Sequence, residues 1–141
     1  MPAPAHQFPG GDDLQNQRLA DLPGQPALFE HIAALAQGPW NQNGQLGLVV
    51  GATRPSEIER VRALAPTLPL LIPGVGAQGG DAAATVRAGW RGNAQSTQAP
   101  IVVNSSRAII YADSGTGFAA AARTEALKTR ALLHACRVLA D

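Results

Sequence analysis

Apolar residues follow two different periods along the chain. Three short, continuous apolar runs, each closed by glycine, proline or asparagine, predict β-strands, and they lie at residues 46–50, 69–72 and 101–103. The run at 46–50 lacks alternation, which is typical of a parallel strand that is buried on both faces. Around the runs, apolar residues recur at helical spacing and predict helices at residues 25–37, 55–64, 81–88 and 118–139.

Local signals refine three of these helices. Pro26 suits the first turn of the first helix, and Asp81 suits the N-cap of the third. In the second helix the charged residues are expected on the solvent face, and the opposite face carries an apolar stripe of Ile58, Val61, Leu64 and Ala65. Each helix thus has one apolar face with which to pack on a strand.

Outside these elements the sequence predicts less regular structure. Residues 1–24 form an irregular lead-in, with at most a short helix near 12–20, because prolines interrupt them. Residues 25–141 form a single domain. Within it, residues 90–99 are predicted as a polar loop and residues 108–111 as a short helical turn.

The order helix–strand, repeated, predicts an α/β fold with a parallel sheet. Two architectures fit, a doubly wound sheet and a (β/α)8 barrel, and three strands complete neither of them. A barrel takes roughly 250 residues, and its phosphate site commonly uses the loops after the last two strands. Here a glycine-rich loop and an arginine-containing loop follow the last two predicted strands. The simplest interpretation is the C-terminal part of a (β/α)8 TIM barrel.

The glycine-rich loop predicts an anion site. It begins after the second strand at Pro73, contains Gly74, Gly76, Gly79 and Gly80, and ends at Asp81. Glycines let the backbone approach a ligand closely, and exposed N–H groups there favour phosphate. The spacing reads G-x-G-x-x-G, but the acidic residue of a dinucleotide site is missing after the next strand, where residues 104–107 read Asn-Ser-Ser-Arg. A simple phosphate is therefore favoured over a dinucleotide, with a ligand-free glycine turn as the minor alternative.

Composition excludes several other functions. The chain has 141 residues, a formal net charge of +1 and one cysteine, Cys136, so it has neither an intrachain disulfide nor a cysteine-based zinc cluster. The three histidines lie far apart and do not have metal-ligand spacing. The chain has no basic patch interleaved with aromatic residues, so the sequence does not indicate nucleic-acid binding. No apolar run approaches the ~20 residues of a membrane span, so a cytoplasmic protein is expected.

Three segments together resemble orotidine 5′-phosphate decarboxylase, in its longer bacterial (type 2) form. They are Leu-Gly-Leu-Val-Val-Gly-Ala-Thr at 46–53, Leu-Ile-Pro-Gly-Val-Gly-Ala-Gln-Gly-Gly-Asp at 71–81 and Val-Val-Asn-Ser-Ser-Arg-Ala-Ile-Ile-Tyr-Ala at 102–112. Weaker similarity extends over roughly residues 9–141. The order of the glycine-rich and Asn-Ser-Ser-Arg segments is far more specific than either short pattern alone.

The resemblance implies a (β/α)8 enzyme that works as a dimer, uses no cofactor or metal, and converts orotidine 5′-phosphate to UMP in pyrimidine biosynthesis. It implies that Gln78 bridges the pyrimidine and the phosphate, and that Pro73 contacts the base. Phosphate-binding residues would be Gly74, Gly76, Gln78, Gly79 and Arg107. Arginine suits this role because its planar donors match two phosphate oxygens at once.

The chain departs from the family at the catalytic residues. The family's D-x-K-x-x-D segment, whose lysine protonates the C6 carbanion, does not occur in these 141 residues. The single lysine, Lys128, lies in a predicted helix and is interpreted as a solvated residue. The family's Thr-Ser-Asn-Pro-Gly stretch corresponds at best to His-Gln-Phe-Pro-Gly at residues 6–10. No catalytic residue is therefore assigned in this chain.

The resulting hypothesis is a C-terminal portion of the decarboxylase that carries the phosphate-binding half and is inactive alone. Two alternatives stay open: a non-catalytic, nucleotide-binding half-barrel that pairs with another chain, and a truncated gene product without independent function. The expected ligand is a nucleotide monophosphate, orotidine 5′-phosphate or UMP. The expected protein partner is a second copy in a homodimer or a complementary N-terminal half.

Overall fold

The computed structural model describes residues 14–76, 80–92 and 97–138. The helices are α1 (Leu28–Gln37), α2 (Pro55–Leu64), α3 (Ala82–Gly89), α4 (Ser106–Ile110) and α5 (Phe118–Val138). The strands are β1 (Leu48–Val49), β2 (Leu70–Pro73), β3 (Arg91–Gly92), β4 (Thr97–Ala99) and β5 (Ile101–Asn104). The predicted alternation of helices with the strands β1, β2 and β5 is confirmed, and β3 and β4 were not predicted.

The central sheet has three parallel strands in the order β1-β2-β5. Leu70 of β2 aligns with Leu48 of β1 on one side and with Ile101 of β5 on the other. Parallel strands connected through helices are the repeating unit of a (β/α)8 barrel. The described chain thus has the parallel α/β arrangement that the sequence predicts.

One face of the sheet carries the core. Leu70 and Ile72 of β2 are fully buried and pack with Ile58 and Val61 of α2, which confirms the predicted stripe on that helix. The same cluster includes residues of α1 and α3, with Leu133 of α5 packed against it. The described helices therefore stabilise the sheet from one face.

The opposite face of the sheet is uncovered in the described part of the chain. Val49, Leu71 and Val102 align across the three strands, and their side chains are 69%, 38% and 61% exposed. The prediction that the strand at 46–50 is buried on both faces is therefore wrong. Burial alternates along each strand because the helices pack on one face only.

Helix starts differ from the predictions in one case and agree in another. α1 begins at Leu28 rather than at residue 25, because Gly24 and Gln25 have positive φ angles and Ala27 is the N-cap. Pro26 thus precedes the helix. The predicted cap of α3 is confirmed: the Ala84 N–H donates to the Asp81 carboxylate at 2.6 Å.

Arg62 contradicts the expectation that the charged residues of α2 face solvent. Its side chain is 1% exposed and donates to the carbonyl oxygens of Gly89 (2.7 Å), Ala65 (3.0 Å) and Leu68 (2.7 Å). Burial, and the charge of Arg91, lower the pKa of Arg62 to about 10, so it stays protonated at neutral pH. It joins the ends of α2 and α3 to the start of β2.

Three irregular regions also differ from the predictions. Residues 90–99 contain the antiparallel pair β3–β4 instead of a loop throughout. In the segment near 12–20, where a short helix was expected, only residues 14 and 15 of the described residues are helical. Arg18 then pairs with Ala27 in an isolated bridge. The helical turn predicted at 108–111 is α4, which begins two residues earlier.

In the described residues, no helix has both the length and the apolar character that crossing a bilayer requires.

Candidate functional site

The ends of β2 and β5 bring the two predicted loops together. Pro73 is aligned with Asn104, and both lie at the carboxyl ends of adjacent parallel strands. The Gly74 N–H donates to the Asn104 carbonyl at 3.3 Å, which extends the pairing one residue further. The loop at 74–80, here called the glycine loop, and the loop at 104–107, called the arginine loop, thus leave the sheet side by side.

The glycine loop folds back on itself. The Gly76 N–H donates to the Gly80 carbonyl at 3.0 Å, and the Gly80 N–H donates to the Gly74 carbonyl at 3.1 Å. Gly74 and Gly76 have φ angles of +99° and +84°, in the left-handed region that residues with a side chain rarely adopt. The backbone conformation therefore explains why glycine occupies positions 74 and 76. Gln78 and Gly79 lie outside the described residues.

The arginine loop is ordered by its own polar side chains. The Asn104 side-chain oxygen accepts from the Ser106 N–H at 3.0 Å and from the Ser106 hydroxyl at 2.6 Å. These bonds form a local turn just before α4, on which Arg107 lies. The turn therefore determines the position of Arg107 relative to the end of β5.

The two loops line one pocket of about 220 Å³. Its described lining residues are Pro73, Gly74, Val75, Asn104, Ser105, Ser106 and Arg107. None of them is acidic, and Arg107 supplies a positive charge, so an anion is favoured there. The volume exceeds several-fold the ~30 Å³ that one water molecule occupies.

Most of the predicted site residues that the structure describes lie at this pocket. Pro73, Gly74 and Arg107 line it. Gly76 lies next to it, since a Cβ atom at Gly76 would be 3.4 Å from the Ser105 hydroxyl oxygen. The sequence assigned no role to Asn104, Ser105 or Ser106, although they precede Arg107 directly at the end of a predicted strand. Position at the carboxyl end of a strand is the signal that could have found them.

Lys128 lies on α5, outside the lining of the pocket. Its side chain is 69% exposed and pairs with Glu125 at 3.3 Å. These features are those of a solvated helix residue, as interpreted from the sequence. Among residues 14–76, 80–92 and 97–138, no three His, Cys, Asp or Glu side chains come together as a metal site would require.

The chain is similar to known decarboxylases over nearly its whole length. No model of a known protein family matches it. It is 78% identical over 129 residues to orotidine 5′-phosphate decarboxylase of Polaromonas naphthalenivorans, an alignment covering 92% of this chain and 44% of the relative. The chain thus spans less than half the length of the relatives it matches.

Two solved structures agree with this similarity. Leishmania donovani OMP decarboxylase is 36% identical, with a TM-score of 0.66, over 92% of this chain and 45% of that chain. Leishmania donovani UMP synthase is 41% identical, also with a TM-score of 0.66, over 90% of this chain and 26% of that chain. Both the sequence and the arrangement of helices and strands are thus similar to part of an orotidine 5′-phosphate decarboxylase.

Proposed function

We propose that this chain is the phosphate-binding part of a cytoplasmic orotidine 5′-phosphate decarboxylase, which forms UMP in pyrimidine biosynthesis. One observation supports this most directly: the glycine loop and Arg107 line the same pocket at the carboxyl edge of the sheet. That edge is where (β/α)8 enzymes bind their substrates. The ligand would be the 5′-phosphate of orotidine 5′-phosphate or of UMP.

In this proposal Arg107 holds the phosphate with two parallel hydrogen bonds, which its planar guanidinium can make to two oxygens. Gly74, Gly76 and Gly79 allow the backbone of the glycine loop to approach the same oxygens. Gln78 bridges the phosphate and the pyrimidine, and Pro73 contacts the base. The site would thus recognise both the phosphate and the base of one nucleotide.

We further propose that the chain binds the nucleotide without decarboxylating it. Loss of CO2 leaves an electron pair on C6 of the pyrimidine, and a positioned acid must protonate that carbon. The 141 residues contain no D-x-K-x-x-D segment to supply it. Lys128 is exposed and paired with Glu125. In a complete enzyme, binding energy from the remote phosphate can stabilise the transition state at the base.

The uncovered sheet face favours a protein partner. Val49, Leu71 and Val102 form an exposed apolar row across three strands, and β1 and β5 are the outer strands of the sheet. Exposed apolar rows and open strand edges favour association. The partner we propose is a complementary N-terminal half of a family member, with a second copy of this chain as the alternative.

The binding proposal is tested by titrating UMP into the wild-type chain and into Arg107→Ala. Loss of charge-assisted hydrogen bonds should weaken binding by about 1.5–3 kcal/mol, roughly 10- to 150-fold. Arg123→Ala, which removes an exposed arginine on α5, is the matched control and should bind as the wild type does. Equal affinity in Arg107→Ala and the wild type would contradict the role of Arg107.

The catalytic proposal is tested with orotidine 5′-phosphate as substrate, using protein free of host decarboxylase. The chain alone should give no turnover. Mixing it with the remaining part of the Polaromonas naphthalenivorans relative should restore activity. Turnover by the chain alone would refute the proposal that it lacks the proton donor. A stable monomer that binds UMP and does not associate with the added part would instead favour a non-catalytic, phosphate-binding module.

A further inference from the structure

We propose that Ser105 is a positioning residue that fixes the glycine loop against the arginine loop. Its hydroxyl donates to the Val75 carbonyl oxygen at 3.0 Å, in a half-buried position. The two residues lie on different loops, thirty positions apart in sequence. The inference rests on the proposed function of the pocket, because holding the loops together matters most if both contact one ligand.

The Ser105 hydroxyl does not serve its own helix. Ser105 is the N-cap of α4, a position where serine normally accepts from a backbone N–H of the first turn. Here it makes no such bond, and the side chain of Asn104 accepts from Ser106 instead. The hydroxyl is therefore directed across the pocket edge, to the opposite loop.

The bond lies just beyond the backbone pairing of the two strands. Gly74 donates to Asn104, and the next link between the loops among the described residues is the one from Ser105 to Val75. Gly76 lets the serine come close, since its missing Cβ would be 3.4 Å from the hydroxyl oxygen. Without the Ser105 bond, the pairing of the loops would end at Gly74.

The consequence for the pocket concerns alignment. Ser105 immediately precedes α4, and Arg107 lies in the first turn of that helix. Val75 lies between the two glycines with positive φ angles. A bond between Ser105 and Val75 therefore fixes the distance between the backbone of the glycine loop and the start of the arginine's helix. Ligand affinity should therefore depend on this bond.

The first measurement needs no ligand. Amide hydrogen exchange at Gly76 and Gly80, whose N–H groups bond within the glycine loop, should be about 2- to 12-fold faster in Ser105→Ala. Ser105→Thr keeps the hydroxyl and should retain slow exchange. Thr124→Ala is the control, because it removes an exposed hydroxyl that also donates to one backbone carbonyl, that of Ala120 at 2.9 Å.

The second measurement is the affinity for UMP. Ser105→Ala should stay folded and bind UMP about 2- to 12-fold more weakly, while Ser105→Thr and Thr124→Ala bind as the wild type does. Unchanged exchange in Ser105→Ala would overturn the proposal, and so would faster exchange with unchanged affinity. Failure of the wild type itself to bind UMP would refute the proposed function, and the exchange data would then decide the role of Ser105 separately.

Discussion

Gly80 packs directly against Ala52, so closely that position 80 has no room for a side chain. A Cβ atom at Gly80 would lie 2.6 Å from the Ala52 Cβ and 2.6 Å from the Gly74 carbonyl oxygen. Ala52 follows β1, whereas Gly80 closes the glycine loop after β2. This contact therefore joins the loops of two neighbouring strands at the edge of the sheet that carries the pocket.

Replacing Gly80 with alanine should destabilise the fold. The added methyl group meets backbone and a buried side chain, and overpacking of this kind costs about 1–3 kcal/mol. Urea denaturation measures the change. Gly51→Ala is the matched control, because the nearest atom to its added Cβ is 4.0 Å away. If both variants unfold at the wild-type urea concentration, the tight packing at Gly80 is not a constraint.

The carboxylate of Glu30 should make the folded protein less stable in acid. It accepts from Arg60 Nε at 2.6 Å and from the Ala27 N–H at 2.7 Å, and both bonds hold its pKa below the ordinary value of 4.5. The unfolded chain therefore takes up the proton first as the pH falls. The stabilisation from Glu30 is complete above the ordinary pKa and is lost as the pH falls through the lowered one.

We expect Glu30→Gln to reduce this pH dependence. The free energy of unfolding, measured between about pH 6 and pH 3, should fall less steeply in the variant than in the wild type. Glu59→Gln, which removes the charge of an exposed carboxylate on α2, is the matched control. A wild-type slope in Glu30→Gln would mean that other carboxylates cause the acid sensitivity.

Arg62 should not tolerate replacement by lysine. Its guanidinium bonds three buried carbonyls in different directions, whereas an ammonium is a compact point charge. At least one carbonyl would lose its donor, at a cost of about 1–3 kcal/mol. Thermal or urea unfolding measures this, with the exposed Arg123→Lys as control. An Arg62→Lys variant as stable as the wild type would show that the separate hydrogen bonds add little.

The two faces of β5 should respond differently to the same substitution. Val102 is 61% exposed on the uncovered face, while Val103 packs against the core. Val102→Thr should leave the unfolding free energy within about 0.5 kcal/mol and reduce self-association, measured by sedimentation against the 14.5 kDa monomer. Val103→Thr should instead lower stability, because it buries a hydroxyl. Equal effects of the two variants would contradict the one-sided packing of the sheet.

Local sequence signals predicted much of the fold because they depend on neighbouring residues. The cap at Asp81 needs only an acceptor before a helix, and the stripe of Ile58 and Val61 needs only helical spacing. The start of α1 was missed because the positive φ of Gln25 is not encoded by its residue type. The pair β3–β4 was missed because its strands are only two and three residues long.

The site was predictable in part for a similar reason. Adjacent parallel strands present their carboxyl ends at one edge, so Gly74 and Arg107 could be expected to lie near each other. The bond from Ser105 to Val75 could not be expected. A serine before a helix normally caps that helix, and only the position of the neighbouring loop offers its hydroxyl another acceptor.

The sequence by itself determined the α/β order of elements, the two loops at the strand ends and the resemblance to the decarboxylase family. Only the tertiary structure decided that the helices cover one face of the sheet and that Arg62 is buried. The physical reason is that periodicity gives each segment an apolar face but does not specify what will cover it. Arg62 can be buried only where three carbonyls from separate segments meet its guanidinium.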